Sequence, residues 1–494
     1  MELPKPDTEP KMKLYLPGLA ELVVLTCVLG VLVFAQRMLN ADGDIFRHLS
    51  IGRVVLATGN IPTTDFFTHT IPGKAFSPHE WLAGVLFYIT WLTSGYLGLV
   101  LLGMVLLSLA FWGVFRLCLW RGANQLTAFG LTILGLFPTS LHWIIRPHLF
   151  TMVFCVLWLY LVLRYKAELQ KLLFFTAMAM LAWVNLHGEF IFGFIVLGAY
   201  TAGAIVNYLC TKQPANLREG ANLAGAGLLG LVVSLLNPVG WRVWQTMFDF
   251  VGNDYLISHT LETQPPEWSD PRYMALIILL GVSGLILLFR WRSFRLGSVF
   301  LLGGLVIMTL TSARNVHLLG LVAPVMLAEG ISGVRLPIIL ARMEQALGKY
   351  SKSGGSGYLV ASILVVAVAV AWFSPSVRAI GPSPKSFPVM AVDWLSEHPQ
   401  KSNVFNDFSW GGYLAWRLPG TEIFLDSQSD VYGEKLLRDY ELAVSGKPEA
   451  VQVLDKYSVD WVLVGSGSEL GSLLASLGWV DIYEDTTAVI LRRP

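Results

Sequence analysis

Two carboxylates stand two residues apart in "ADGDIFRHLSIGR", where Asp42 and Asp44 follow an apolar run in a chain otherwise poor in charge. Such a pair can divide labour, one acid serving as general base and the other orienting it or holding a metal ion. On a helix this spacing points the two to nearly opposite sides, so they converge only if the backbone is extended. Asp44 and His48 are four apart and share a helix face. The competing role is capping, since acids ahead of a helix stabilise its N-terminus.

Other polar residues recur in short connections of the same kind: "IIRPHLF", "VNLHGEF", "LNPVGW" and "SARNVHLL". Arg146 and Arg314 are candidates to hold a phosphate, because guanidinium is permanently charged and forked. Snorkelling to lipid head groups is the alternative. Asn185, His187, Asn237, Glu267 and His317 complete the set, with structural hydrogen bonding as their competing role. Glu80 follows Ser77 by three with Pro78 between, which is a capping box at a helix start; it is also a candidate for the site. His69 and His79 read as loop residues. Polar groups at membrane depth are costly unless they face a wet cavity, so these loops are expected to line one cavity.

The elements that must position them are apolar helices. The chain has 494 residues, 54% hydrophobic and only 14% charged, with a mean hydropathy of +0.58. Soluble domains carry about a quarter charged residues, so this composition reads as a polytopic α-helical membrane protein. Runs of about 20 apolar residues place some 11 spans, near 16–36, 96–118, 125–145, 149–164, 171–187, 190–210, 221–237, 272–290, 297–313, 316–334 and 357–373. Lys11 and Lys13 precede the first without a small-residue cleavage site, the pattern of a retained anchor. Basic residues then alternate between connections, from Lys5 through Arg121, Lys166, Lys212 and Arg295 to Arg335 and Lys352. The positive-inside rule makes these cytoplasmic. An odd number of spans leaves the C-terminus outside. Four cysteines lie in apolar segments and define no disulfide framework.

The first outer loop, 38–95, carries two interfacial helices. One runs from the acids to Gly59, and the other starts at Ser77. Residues 1–373 thus form the membrane domain, 374–388 a Pro-rich linker, and 389–494 an extracytoplasmic α/β domain. In that domain "NVFND", "TEIFLD", "DWVLVG", "WVDIYED" and "TAVILRR" read as strands, and "VMAVDWLSEH", "GEKLLRDYELAV" and "PEAVQVLDKY" as helices. It shows no Gly-rich phosphate loop and no metal-ligand cluster.

The acidic first loop with two interfacial helices, the many spans and the outer α/β domain resemble the GT-C superfamily, the integral membrane glycosyltransferases that use polyprenyl-phosphate sugars. "DGDIFRHLSIGRVVLATGNIPTTDFFTHT…HEWL" also looks like a group of uncharacterised prokaryotic GT-C-like membrane proteins. That likeness continues through "RPHLF", "NLHGEF", "LNPVGW" and "WGGYLAWRLPG…IFLDSQSDVYG", over nearly the whole chain. Many of those proteins have tryptophan before the histidine, where this chain has Arg47. The resemblance implies a catalytic aspartate at Asp42 or Asp44 and transfer with inversion from a polyprenyl-phosphate-linked sugar to an extracytoplasmic glycan, lipid or protein. It further implies Arg146, Arg314 or a divalent cation (Mg or Mn, held by Asp42 or Asp44) at the phosphate. Membrane lipids are partners and nucleic acid is not. Two other readings are a non-catalytic envelope-assembly scaffold on a GT-C-like body, and a transporter. The latter should show internal repeats and mid-membrane charge, and neither is found in the sequence.

Overall fold

The computed structural model describes residues 18–334, 337–351, 362, 365–369 and 379–494. Each expected span up to residue 334 is matched by a helix: α1 (Leu19–Asn40), α3 (Trp81–Trp120), α4 (Gln125–Thr139), α5 (His148–Tyr165), α6 (Leu169–Leu186), α7 (Ile191–Thr211), α8 (Pro214–Ser234), α11 (Met274–Arg290), α12 (Leu296–Thr311) and α13 (Val316–Gly330). Among the described residues, six of these segments are long and apolar enough to cross a membrane. The chain is therefore a multi-pass membrane protein. The eleventh expected span, 357–373, lies outside the described residues except at 362 and 365–369, as do Lys5, Lys11, Lys13, Arg335, Lys352 and the start of the 374–388 linker.

The 125–145 expectation is shortened. Helix α4 has 15 residues, about 22 Å at 1.5 Å per residue, and a short 3₁₀ turn at Ser140–His142 succeeds it. Helix α13 is of equal length and nearly all of it is buried. Neither is among the six helices long and apolar enough to cross a membrane; irregular backbone at the ends of such helices is tolerated at membrane depth where neighbouring helices cover it. At the α4–α13 crossing, Gly135 and Gly320 bring the two backbones into contact, because a Cβ on Gly135 would lie 2.0 Å from the Gly320 carbonyl oxygen.

Helix α2 (Asp44–Thr58) forms where the apolar spacing predicts it and ends at Gly59 in the left-handed region, φ 68°. It lies across the start of α3. A Cβ on Gly52 would sit 2.2 Å from the Gly84 carbonyl oxygen, so only glycine permits this approach. Helix α3 begins at Trp81 and continues into the span through a bend at Gly95, φ 60° and ψ −154°. The capping box is not formed, since Glu80 occupies the N-cap position without a side-chain cap bond. Its carboxylate is drawn to three imidazoles instead.

The C-terminal region folds as a four-stranded sheet in the order β1 (Asn403–Asn406), β2 (Val459–Gly465), β4 (Ala488–Arg492), β3 (Val480–Glu484). The β1–β2 pair is parallel and the other two pairs are antiparallel. "TEIFLD", expected as a strand of this sheet, is instead extended chain that bridges to the first loop at Thr68 and Ile423. His69 likewise reaches the outer domain, with Nε2 2.8 Å from the Val404 carbonyl. Phe46 packs edge-on against Phe387 and Tyr413, each 5.0 Å away, and Arg53 donates to the Trp416 and Ala415 carbonyls. First loop and C-terminal domain, the domain expected outside, therefore make one packed body.

Candidate active site

The acids sit where α1 hands over to α2. The Asp44 N–H donates to the Asp42 carboxylate across the Gly43 turn, at 3.0 Å. The backbone between them is not extended, since Gly43 has φ −86° and ψ −4°; the acids still converge because both reach one long guanidinium. Arg146, in the connection between α4 and α5, meets them: Nε is 3.0 Å from Asp42 and Nη2 is 2.5 Å from Asp44. Nη1 donates to Glu262 at 2.7 Å. The Ser427 hydroxyl, from the outer domain, donates to the second oxygen of Asp44. These side chains are partly open, 20–24% exposed for Asp42, Asp44 and Arg146.

The two acids differ in proton affinity. Burial pushes Asp42 up to about 6, against the attraction of Arg146 and with help from the charge on Asp44. Burial also acts to raise Asp44, but Arg146 and the Ser427 hydroxyl outweigh it and hold this carboxyl below its usual range. Like charges sharing a site push their affinities apart in this way.

A second cluster lies behind the first. Glu80 Oε1 is 3.3 Å from His187 Nε2 and 3.9 Å from His79 Nε2, and Oε2 is 3.5 Å from His48 Nε2. Glu189 is 3.0 Å from His317 Nε2, 3.5 Å from His187 Nδ1 and 3.6 Å from Arg314 Nε. The Trp183 N–H donates to the Thr151 hydroxyl at 2.8 Å, and that hydroxyl is 2.9 Å from His187 Nδ1. If Thr151 donates onward to Nδ1, the His187 proton is on Nε2 and faces Glu80. Burial drives His48 down to about 3 and His187 well below its ordinary value, against the pull of nearby carboxylates.

The structure thus brings Asp42, Asp44 and Arg146 together, and gathers His48, Glu80, His187, His317 and Arg314 beside them. Three candidates fall outside. Asn237 bonds only within its own turn, to the Ser234 and Gly240 carbonyls and the Val239 N–H. Glu267 is exposed and accepts from Ser269. Asn185 accepts from Trp81 and donates to the Leu181 and Leu236 carbonyls, which ties α3 to α6 and the turn after α8. Of the two arginines expected at a phosphate, Arg146 has each of its nitrogens facing a carboxylate, while Arg314 is 41% exposed with Nε 3.6 Å from Glu189. Sequence reasoning passed over Glu189, inside the quoted "VNLHGEF", and Glu262, five residues before the chosen Glu267. It also missed Asp426 and Ser427, whose relevance depends on how the outer domain docks.

For a divalent cation the residues do not fit. Asp42, Asp44 and Glu262 address three different nitrogens of Arg146. No group of three His, Cys, Asp or Glu among the described residues is placed to hold a metal ion. The guanidinium supplies the positive charge between the acids.

Against known structures the chain aligns along nearly its full length. The archaeal oligosaccharyltransferase AglB from Archaeoglobus fulgidus, in complex with an inhibitory peptide and a dolichol-phosphate, matches at TM-score 0.60 and 11% identity, over 90% of this chain and 69% of that one. The apo form of the Archaeoglobus fulgidus oligosaccharyltransferase matches at 0.55 and 12%, over 92% and 70%. ArnT from Cupriavidus metallidurans, bound to undecaprenyl phosphate, matches at 0.52 and 13%, over 95% and 97%. The chain shares the fold of these membrane proteins, as the GT-C resemblance implied. No protein-family model and no curated protein sequence matches it. At these identities the likeness carries the fold alone, so chemistry has to be argued from the site.

Proposed function

We propose that the protein is a membrane glycosyltransferase that moves a sugar from a polyprenyl-phosphate donor to a hydroxyl-bearing extracytoplasmic acceptor with inversion. The observation that carries this reading is the pair of acids converging on Arg146 at the partly open end of a GT-C-like fold, with burial raising Asp42 and Arg146 holding Asp44 down. Structures sharing that fold are described with dolichol-phosphate and undecaprenyl phosphate bound. Asp42 is the base. An affinity near 6 leaves it mostly ionised at neutral pH yet basic enough to take a proton, as efficient general bases are. Asp44, held by Arg146 and Ser427, orients the guanidinium and is a poor proton acceptor.

The acceptor oxygen gives its proton to Asp42 and attacks the anomeric carbon as the bond to the lipid phosphate oxygen breaks on the opposite side. A single in-line displacement inverts that carbon. The departing phosphate gains charge, and Arg314 is the exposed guanidinium able to meet it. The alternating basic connections put this end of the bundle, with the outer domain, on the extracytoplasmic side. The test is release of undecaprenyl phosphate from a panel of undecaprenyl-phosphate sugars by purified protein in lipid vesicles supplied with envelope glycans. Release that needs both protein and acceptor supports the reading. Intact donors throughout the panel would favour a non-catalytic scaffold.

A further inference from the structure

The outer domain reaches into the acid cluster through one short segment, 423–428, fixed at both ends. At its start, Ile423 donates to the Phe67 carbonyl at 2.8 Å and the Thr70 hydroxyl donates to the Phe424 carbonyl at 2.7 Å. Asn406, fully buried, accepts from the Phe424 N–H and donates to the Leu425 carbonyl, each at 2.8 Å. At its end, Asp426 is fully buried and takes hydrogen bonds from Arg47, from the Tyr432 hydroxyl at 2.8 Å and from the Gln428 N–H at 3.0 Å.

Arg47 is committed to this contact. Its Nε and Nη2 have no hydrogen-bond partner among the described residues. Its guanidinium is walled by the rings of Phe67 and Phe76, 4.9 and 5.1 Å away. A buried ion pair of this kind contributes little net stability but has few alternative geometries. Arg47 and Asp44 are three residues apart on α2, so the pair and the next residue, Ser427, engage one face of the same helix turn. Gly43 and Gly412 complete the fit, because a Cβ on Gly43 would lie 2.4 Å from the Ser409 carbonyl oxygen and one on Gly412 2.5 Å from the Gly43 carbonyl oxygen. The C-terminal domain therefore meets the acid turn and the first turn of α2 through three contacts.

We propose that Ser427 is a positioning residue of the active site, set by the Arg47–Asp426 pair so that its hydroxyl holds the Asp44 carboxylate on Arg146 and leaves Asp42 as the acid that takes the acceptor proton. In this arrangement the outer domain is a working part of the catalytic centre. The alternative is a plain tether, in which the serine only fastens two domains. The kinetic part of the proposal rests on the transferase reading, and the titration part does not.

The experiment uses full-length protein in lipid nanodiscs, with Ser427→Ala, Ser427→Thr and Asp44→Asn beside wild type. The infrared carboxyl signal that Asp44→Asn removes is that of Asp44, followed against pH. Around Asp44 stand Asp42, Arg47, His48, Arg146 and, beyond the arginine, Glu262, none altered by these serine changes. A hydrogen bond to the charged form favours it. Ser427→Ala should therefore move the Asp44 midpoint to higher pH, while Ser427→Thr keeps it in place. With an undecaprenyl-phosphate sugar that the wild type cleaves, kcat should fall about tenfold in Ser427→Ala at unchanged KM. An unmoved Asp44 midpoint in Ser427→Ala, or a lower unfolding temperature with titration unchanged, overturns the proposal in favour of the tether. Absence of transfer by every protein, wild type included, would instead count against the transferase reading and leave the titration result standing.

Discussion

The acid–arginine cluster and the histidine–glutamate cluster lie side by side, built from the same chemical groups, and differ in balance. Around Arg146 three carboxylates share one positive charge, in side chains 20–38% exposed. Around Glu80 and Glu189 each acid is matched by imidazoles, in histidines no more than 9% exposed. Excess charge at an open edge shifts proton affinities and invites a reactant. Carboxylates held by buried imidazoles, with burial keeping His48 and His187 neutral, fix the ends of α3, α5, α7 and α13. On the proposed reading, titratable residues alone do not mark a reactive centre; imbalance and access are the features that single out the acid–arginine cluster.

The comparison breaks most severely at Arg146. Arg146→Met leaves three carboxylates facing one another, so Asp42 should stay protonated at neutral pH. Transfer should fall by about 10³-fold or more, the scale of losing a general base, with the acid limb of the pH–rate profile displaced upward. Kinetics across pH 5–9 measure both. In the second cluster the loss should appear as stability. Glu189→Leu strips His317, His187 and Arg314 of their shared partner and should lower unfolding free energy by about 1–3 kcal/mol, with any fall in transfer far smaller than that of Arg146→Met. Equal activity losses at the two sites would erase the distinction.

A smaller effect follows from linkage. The folded-state affinity of Asp42, about 6 against an ordinary 3.8, means the native state binds this proton more tightly than the unfolded chain. Its contribution to stability is therefore greatest at low pH, declines as pH rises through the interval between those values, and is constant above it. Asp42→Asn should remove that decline and raise the unfolding temperature at pH 7 relative to wild type. Thermal scans of both proteins between pH 4 and 8 report it. Smallest of all, Glu267→Gln and Asn237→Ala should leave transfer within about twofold of wild type, since surface changes away from such features are usually mild.

Much of this was legible in the sequence where periodicity or local spacing carries the information. Ten apolar runs became helices, and "DIFRHLSIGRVVLATG" became α2 closed by Gly59, but Asp42 and Asp44 converge without the extended backbone inferred from their spacing, because Arg146 reaches both. Arg146, His187 and His317 were placed at one face because connections alternate along a bundle. The remainder depended on docking. Glu262 was missed in favour of Glu267 because both lie in one loop and only the fold of that loop selects between them. "TEIFLD" has the pattern of a strand but pairs with the first loop instead of the sheet, and this docking brings Asp426 and Ser427 to α2. Ser77, Pro78 and Glu80 spell a capping box, yet three histidines from α2, the first loop and the α6–α7 turn claim the glutamate. A local pattern lost to a tertiary one.

The central claim is that Asp42, and not Asp44, takes the acceptor's proton. Its most direct test is sugar transfer by purified Asp42→Asn and Asp44→Asn beside wild type, at pH 7, with a cleavable undecaprenyl-phosphate sugar and saturating acceptor. The account predicts that Asp42→Asn folds normally and loses about 10²–10⁴-fold in kcat. Asp44→Asn should lose distinctly less, because the amide oxygen still accepts from Ser427 and can still face Arg146. Near-normal kcat in Asp42→Asn, or the larger loss in Asp44→Asn, would contradict it.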